Sequence, residues 1–188
     1  MPNLTLTGDD QADQLLCDNP FALLIGMLLD QQIAMELAFL GPARVAERLD
    51  GELEPATIAA LDVSELEQLF RQKPAVHRYP GSMAKRVHAL AEHLLEHHDG
   101  DAAAIWRDAT TGSELKRRLT ALPGFGDYKA RVFIALLGKQ YGVAPEGWRE
   151  AAGEYGEPGY RSIADVSDEA SRAQVREWKQ ARKAADAG

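Results

Sequence analysis

The 188-residue sequence predicts an all-α fold. Apolar residues recur at three- and four-residue spacing through most of the chain, no stretch sustains the alternation of a half-buried strand, and β-branched runs are few. Proline, asparagine, aspartate and serine stand where helices would start. With 45% of its residues apolar, the chain has material for a substantial core, arranged as one domain or two small lobes.

The elements follow in order. In "NPFALLIGMLLDQQIAMELAFLGPARVAERL" Leu24, Met27 and Leu28 share a stripe, and Asn19-Pro20 supplies an N-cap with proline at the first helical position. Gly41-Pro42 is expected to end that helix and start another reaching Leu49. Thr57–Leu61 and Ser64–Phe70 read as two short helices, with Asp62 or Ser64 as cap. Pro74, Pro80 and Gly81 make a loop. From Ser82 onward Met83, Val87, Leu90, Leu94 and Leu95 form an amphipathic stripe. Asp101–Trp106 and Ser113–Leu119 look helical, the pattern weakens after Gly142, and Ser167–Ala185 resumes as a charged, surface-type helix.

Composition narrows the function. Cys17 is the single cysteine, which excludes an internal disulfide and any cluster held by four cysteines. The start is acidic without an apolar core, and the longest apolar stretch is far short of a membrane span, so a cytoplasmic protein with no membrane partner is expected. The net charge of −8 hides a pattern: residues 1–70 carry 13 acidic and two basic side chains, whereas 71–92 carry five basic and one acidic, and 115–149 seven basic and two acidic. Folded onto one face, the two basic segments would bind phosphates despite the acidic balance. His93 and His97 have metal-binding helical spacing, but no third ligand accompanies them, and no metal is assigned.

"LPGFGDYKAR", residues 122–131, lies inside the second basic segment between two helical stretches. A helix, Leu-Pro-Gly-Phe-Gly and a second helix make a helix–hairpin–helix. Gly124 and Gly126 leave the amides at the start of the second helix uncovered, and that positive end suits a phosphate of the nucleic-acid backbone. Carbonyls of such a hairpin can also hold a monovalent cation.

With this hairpin, "FALLIGMLLDQQIA" and "YPGSMAKRVHALAEHLLEHHDGD", the stretch 20–149 resembles the HhH-GPD superfamily of base-excision DNA glycosylases, the endonuclease III-like proteins. The resemblance implies two helical lobes with the active site in the cleft between them. Residues 28–140 would form the six-helix bundle with the hairpin, and 1–27 plus 141–188 the second lobe. It implies a monomer acting on double-stranded DNA in the cytoplasm, at the nucleoid. A damaged or mispaired base is flipped out and its glycosidic bond cut, while a glutamine fills the hole, here Gln31 or Gln32. Arg78, Lys85, Arg86, Lys129 and Arg131 are the expected phosphate contacts.

The chemistry needs a carboxylate near C1′ to stabilise positive charge on the sugar and to activate water. The family places an aspartate about twenty residues after the hairpin's second glycine, a count that lands on Glu146, with Glu150 nearby. The lysine nucleophile of the strand-nicking members is replaced by Tyr128, and Lys129 is rotated away by about 100°. The resemblance therefore implies a monofunctional glycosylase without lyase activity, in which Glu146 and Tyr128 are the catalytic candidates and Trp148 caps the pocket. The family's iron–sulfur cluster is impossible with one cysteine, so the tail is expected to be held through the helix near Trp178. The alternative is a catalytically inactive member that binds DNA or lesions.

Overall fold

Asn19 ends one helix and begins the next. Its side chain accepts hydrogen bonds from the amides of Phe21 and Ala22, and Pro20 sits at the first helical position, where an N–H would be unpaired anyway. This junction separates α1 (Asp10–Asp18) from α2 (Pro20–Leu29) in the computed structural model, which describes residues 2–188. From Phe21 to Leu29 every residue of α2 is buried, so the helix is apolar all round and central to the core.

The next helix corrects one expectation. α3 runs without interruption over Met35–Arg48, and Pro42 lies inside it. Proline removes one backbone hydrogen bond there, but Ala38, Phe39, Gly41 and Val45 are buried around it, and tertiary packing overrides the local penalty. Gly41 lets Leu29 and Val76 close against the helix: a β-carbon at that position would stand 2.6 Å from Leu29 Cδ1. The break falls earlier instead, at residues 30–34.

α4 (Pro55–Ala60) and α5 (Val63–Arg71) both pack on the long α6 (Pro80–His98). Asp62 is the N-cap of α5, and its amide donates to Glu65 Oε2 at 2.8 Å. α6 buries Met83, Val87, Leu90 and Leu94 as its spacing predicts; Leu95 is the exception and stays exposed at the helix edge. α7 (Ala104–Arg107) and α8 (Gly112–Thr120) lead into the hairpin and α9 (Asp127–Leu136), which continues as a π-helical turn over Leu137–Tyr141. α10 (Trp148–Ala152) then packs back along α8 and α9, followed by 3₁₀ turns at Gly153–Gly156 and Ile163–Asp165 and the C-terminal α11 (Glu169–Asp186). Among the described residues no strand forms; one isolated parallel bridge pairs Thr111 with Glu146.

Polar ties hold the tail. Gln140 donates to the carbonyl oxygens of Ala164 and Val166 at 2.5 and 3.1 Å, and Lys139 Nζ reaches Asp165 at 2.6 Å. α11 is capped by Asp168, which accepts from the Ser171 amide, and it buries Val175. It then bridges separate parts of the molecule: Arg176 pairs with Glu36 of α3, Arg182 pairs with Glu154 at 2.8 Å, and Trp178 stands edge-on to Tyr155 at 6.4 Å. The expectation of a tail held near Trp178 therefore has a concrete set of contacts.

Candidate nucleic-acid interface and cleft

The two hairpin glycines do different work. Gly124 has φ +80°, a left-handed conformation that side chains rarely adopt, and a β-carbon there would lie 3.3 Å from Leu28. Gly126 has φ −91° and ψ −174°, open to any residue, and a β-carbon on it would meet nothing within 4 Å. Gly124 turns the chain, while Gly126 keeps space clear in front of the amides of Asp127, Tyr128 and Lys129. Those amides donate to no backbone partner among the described residues. Phe125, buried and perpendicular to Phe133 at 6.2 Å, anchors the turn between them. Asp127 would repel a phosphate, but Lys116 neutralises it at 2.7 Å and holds its carboxyl below the ordinary range.

Beside the hairpin, the C-terminus of α2 opens into the loop Asp30–Ala34. Its last carbonyls need partners, and three side chains supply them. Lys129 Nζ donates to the Leu28 carbonyl and to Gln31 Oε1, the latter at 3.0 Å. His77 Nε2 lies 3.1 Å from the Leu29 oxygen and 3.0 Å from the Gln31 oxygen, and the Tyr79 amide donates to His77 Nδ1. These partners require the Nε2–H tautomer, and burial keeps the imidazole neutral by pushing its pKa down. Arg86 donates to Gln31 Oε1 at 3.1 Å. Gln31 is therefore fastened from two sides. Gln32 is exposed at φ +59° and is the member of the pair free to enter a duplex.

The expected phosphate contacts divide accordingly. Arg78, Lys85 and Arg86 are exposed, and Arg86 borders the hairpin, its Cδ 3.9 Å from the β-carbon position of Gly124. Lys129 is buried, at 8% exposure, and its amine points into the α2 terminus rather than at solvent. Arg131 also turns inward: it lies over the Tyr155 ring at 5.3 Å and donates to the Ala152 carbonyl. Of the two residues expected to contact phosphates, helical phase turns the Lys129 amine inward and leaves Arg131 half-buried against Tyr155.

Tyr128, one residue earlier, faces the cleft. Its ring stands edge-on to Tyr155 at 5.6 Å and is 46% exposed. Burial, with Asp30, Tyr155 and Glu154 nearby, pushes its pKa up to about 12, so it is a neutral hydrogen-bond donor. Tyr128, Tyr155 and Trp178 line a pocket of about 320 Å³, rimmed by Lys179, Arg182, Lys183 and Asp186 of α11. Lys179 also lines a second, adjoining pocket of about 200 Å³ with Asp30, Ile33 and Arg176.

A hairpin with bare amides, a clamped glutamine loop and an aromatic cleft thus share one face of an all-helical chain. The family model for HhH-GPD superfamily base excision DNA repair proteins matches residues 25–186. The chain belongs to this family. Comparison with curated proteins finds no match. As an HhH-GPD protein it is of the base-excision DNA glycosylase type, and DNA is its partner.

Within this HhH-GPD protein, Glu146 does not join the cleft. It is exposed, its carbonyl accepts from the Gly112 amide at 2.7 Å, and the neighbouring Trp148 covers Gly138. Gly138 is ten residues from Tyr128, about 15 Å along the helix. Glu150 is exposed on the same short helix, α10. Trp148 is buried there, with Arg149 stacked on it at 4.5 Å, and is a wedge between α8, α9 and α10 instead of a pocket lid. Twenty residues from Gly126 lead down α9 and its π-helical turn to the start of α8, where Glu146 pairs with Gly112, away from Tyr128. His93 and His97 lie 4.4 Å apart on α6, and among the described residues no group of three His, Cys, Asp or Glu side chains is placed to hold a metal.

Sequence reading missed Asp30, His77, Tyr155 and Lys179. A local signal existed for two of them: Asp30 directly precedes the glutamine pair, and His77 sits between two prolines in the basic loop. Tyr155 comes from the weakly patterned stretch after Gly142 and Lys179 from the charged C-terminal helix, and nothing in the spacing of either points to a cleft.

Proposed function

We propose that this HhH-GPD protein is a monofunctional DNA N-glycosylase: it flips a damaged or mismatched base from duplex DNA and hydrolyses the glycosidic bond without cutting the strand. The observation that carries this reading is the pairing at the start of α9. Tyr128 faces the aromatic pocket, while Lys129, the hairpin amine next to it in sequence, is engaged with Leu28 and Gln31. A phenol held neutral can stack and donate a hydrogen bond but cannot form a Schiff base. Gln32 would fill the space left by the flipped base, the amides behind Gly126 would hold a phosphate, and Arg78, Lys85 and Arg86 would add contacts along the backbone.

The pocket rim points to the class of base. Arg182 is paired with Glu154 and Asp186, at 2.8 and 3.8 Å, but Lys179 and Lys183 form no ion pair among the described residues. With three cations against two carboxylates the rim is net positive, which disfavours a positively charged alkylated purine and suits an uncharged base. The remaining expectations belong to the same proposal: bundle 28–140, second lobe from 1–27 with 141–188, a monomer acting at the nucleoid in the cytoplasm, and a hairpin that needs no cofactor beyond a monovalent cation.

The remoteness of Glu146 favours a second reading, a member that binds DNA without catalysis. A single-turnover panel separates the two. End-labelled duplexes carrying uracil, mismatched thymine, hypoxanthine, 8-oxoguanine, adenine opposite 8-oxoguanine or alkylated purines are incubated with the protein and developed with or without hot alkali. The glycosylase gives alkali-dependent breaks at one lesion and no borohydride-trapped adduct. Salt-sensitive duplex binding with no breaks on any lesion supports the binder.

A further inference from the structure

Removal of an uncharged base needs a proton for the leaving group, and hydrolysis needs a base for water; both call for a carboxyl group in the cleft. Glu146 lies at the far end of α9. Glu154 is half-buried, and Arg182 pairs with it at 2.8 Å and neutralises it. Asp186, at the end of α11, is exposed and pairs with the same arginine. Asp30 differs from all of these.

Asp30 is the C-cap of α2, where the chain leaves the core helix for the glutamine loop. It is half-buried and faces the pocket, and among the described residues no protein group donates to its carboxyl or pairs with it. It lines the 200 Å³ pocket that shares Lys179 with the Tyr128–Tyr155–Trp178 pocket, so the two cavities adjoin along α11. The groups around it come from every packed element: Tyr128 and Lys129 of α9, Arg176 and Lys179 of α11, with Arg176 already committed to Glu36. A carboxyl group in such surroundings is normally satisfied by a partner, because an unpaired one costs stability. A half-buried carboxyl group that lines a pocket without a protein partner is free to meet a ligand there.

Resting on the glycosylase reading, we propose that Asp30 is the catalytic carboxyl group of this protein. As the C1′–N bond breaks, its electron pair goes to the departing base, and the Asp30 carboxyl donates its proton to that base. The resulting carboxylate faces the cationic sugar, takes a proton from the attacking water as the new C1′–O bond forms, and is restored to the acid. Burial raises the Asp30 pKa against the opposing influence of Lys179 and Lys129, which favours the proton-carrying form at the start of the cycle. Loop closure is already achieved by Lys129, His77 and Arg86, so Asp30 is not needed to hold the loop.

The test compares wild type, Asp30→Asn, Asp30→Glu and Glu146→Gln on the uracil, hypoxanthine, mismatched-thymine and 8-oxoguanine duplexes, in single turnover across a pH series. Duplex affinity and melting temperature are measured alongside. The expected result is a loss of about 10²–10⁴-fold in Asp30→Asn, with affinity within about threefold of wild type, partial activity in Asp30→Glu, and Glu146→Gln close to wild type. Wild-type rate should fall as pH rises through the raised Asp30 pKa, and the residual rate of Asp30→Asn should lack that limb; a merely structural aspartate would not move this profile. If Asp30→Asn does not fold, partial activity in Asp30→Glu with a displaced pH limb supports the assignment and an unchanged limb overturns it. Wild-type cleavage retained within about threefold in Asp30→Asn overturns the assignment and leaves the glycosylase reading standing. No wild-type cleavage on any duplex overturns both.

Discussion

Lys129 donates its amine to the carbonyl of Leu28, 101 residues earlier, and so ties the second hairpin helix to the end of the central core helix. The same amine reaches Gln31, and Arg86 reaches it too. One buried cation thereby ties the hairpin to the glutamine loop.

That cation has a measurable signature. Desolvation lowers the Lys129 pKa from 10.5 to about 8, against the favourable influence of Asp30. Between those values the unfolded chain binds a proton that the folded one does not, so stability rises with pH across this window. Wild type should gain up to about 3 kcal/mol over Lys129→Gln between pH about 8 and about 10.5, read from denaturant midpoints at each pH. The variant keeps a donor for Leu28 but carries no charge, so a parallel pair of curves would refute the assignment.

The hairpin glycines give opposite outcomes. Gly124→Ala forces a side chain into the left-handed region against Leu28 and should destabilise by about 1–2 kcal/mol. Gly126→Asp should leave the melting temperature unchanged or slightly raised, since aspartate is a good N-cap and the site is open. The same carboxylate would occupy the bare amides and repel phosphate, so duplex affinity should fall and the salt slope lose about one unit. Thermal melts with salt-dependent binding isotherms measure both effects; tight binding by Gly126→Asp would exclude the hairpin as a phosphate site.

The sequence made the helices legible because each carries its own signal: Asn19-Pro20, Asp62 and the α6 stripe all sit where the structure has them. Pro42 misled because a local penalty says nothing of the packing that absorbs it. The hairpin was legible for the same local reason. The cleft was not: it is assembled from Asp30, Tyr128, Tyr155 and Lys179, separated by up to 149 positions, and only tertiary structure decides that Lys129 points in and Tyr128 out.

Gly138 and Trp148 test the far end of α9. A β-carbon on Gly138 would lie 2.5 Å from the indole, with rigid helices on both sides. Gly138→Ala should therefore destabilise by about 1–3 kcal/mol through overpacking and loosen α10. Hydrogen exchange should quicken in Trp148–Ala152 while the hairpin amides keep their protection. Equal loosening of the hairpin would mean that the two ends of α9 are not independent.

Asp30 also has a stability signature distinct from its chemistry. Its folded pKa is raised above 3.8, so the folded state holds a proton that the unfolded state releases first. Stability therefore falls as pH rises from 3.8 through the folded-state value and stays reduced above it. Asp30→Asn should melt higher than wild type at neutral pH, and the gap should close below 3.8. A variant that melts lower at neutral pH would mark Asp30 as a structural group.

Charge at the pocket rim decides between classes of base. Lys179 and Lys183 stand beside Tyr155 and Trp178 without ion-pair partners among the described residues, and a cationic 7-methylguanine entering there meets like charge. An uncharged base meets none and keeps the aromatic contacts. The ratio of single-turnover rates, uncharged lesion over 7-methylguanine, should exceed about tenfold in wild type and shrink severalfold in Lys179→Gln/Lys183→Gln, mostly through faster removal of the cationic base. The loss of like-charge repulsion should also reduce the salt dependence of that ratio, because screening already does part of the same work in wild type. A ratio indifferent to both lysines would place the flipped base outside this pocket.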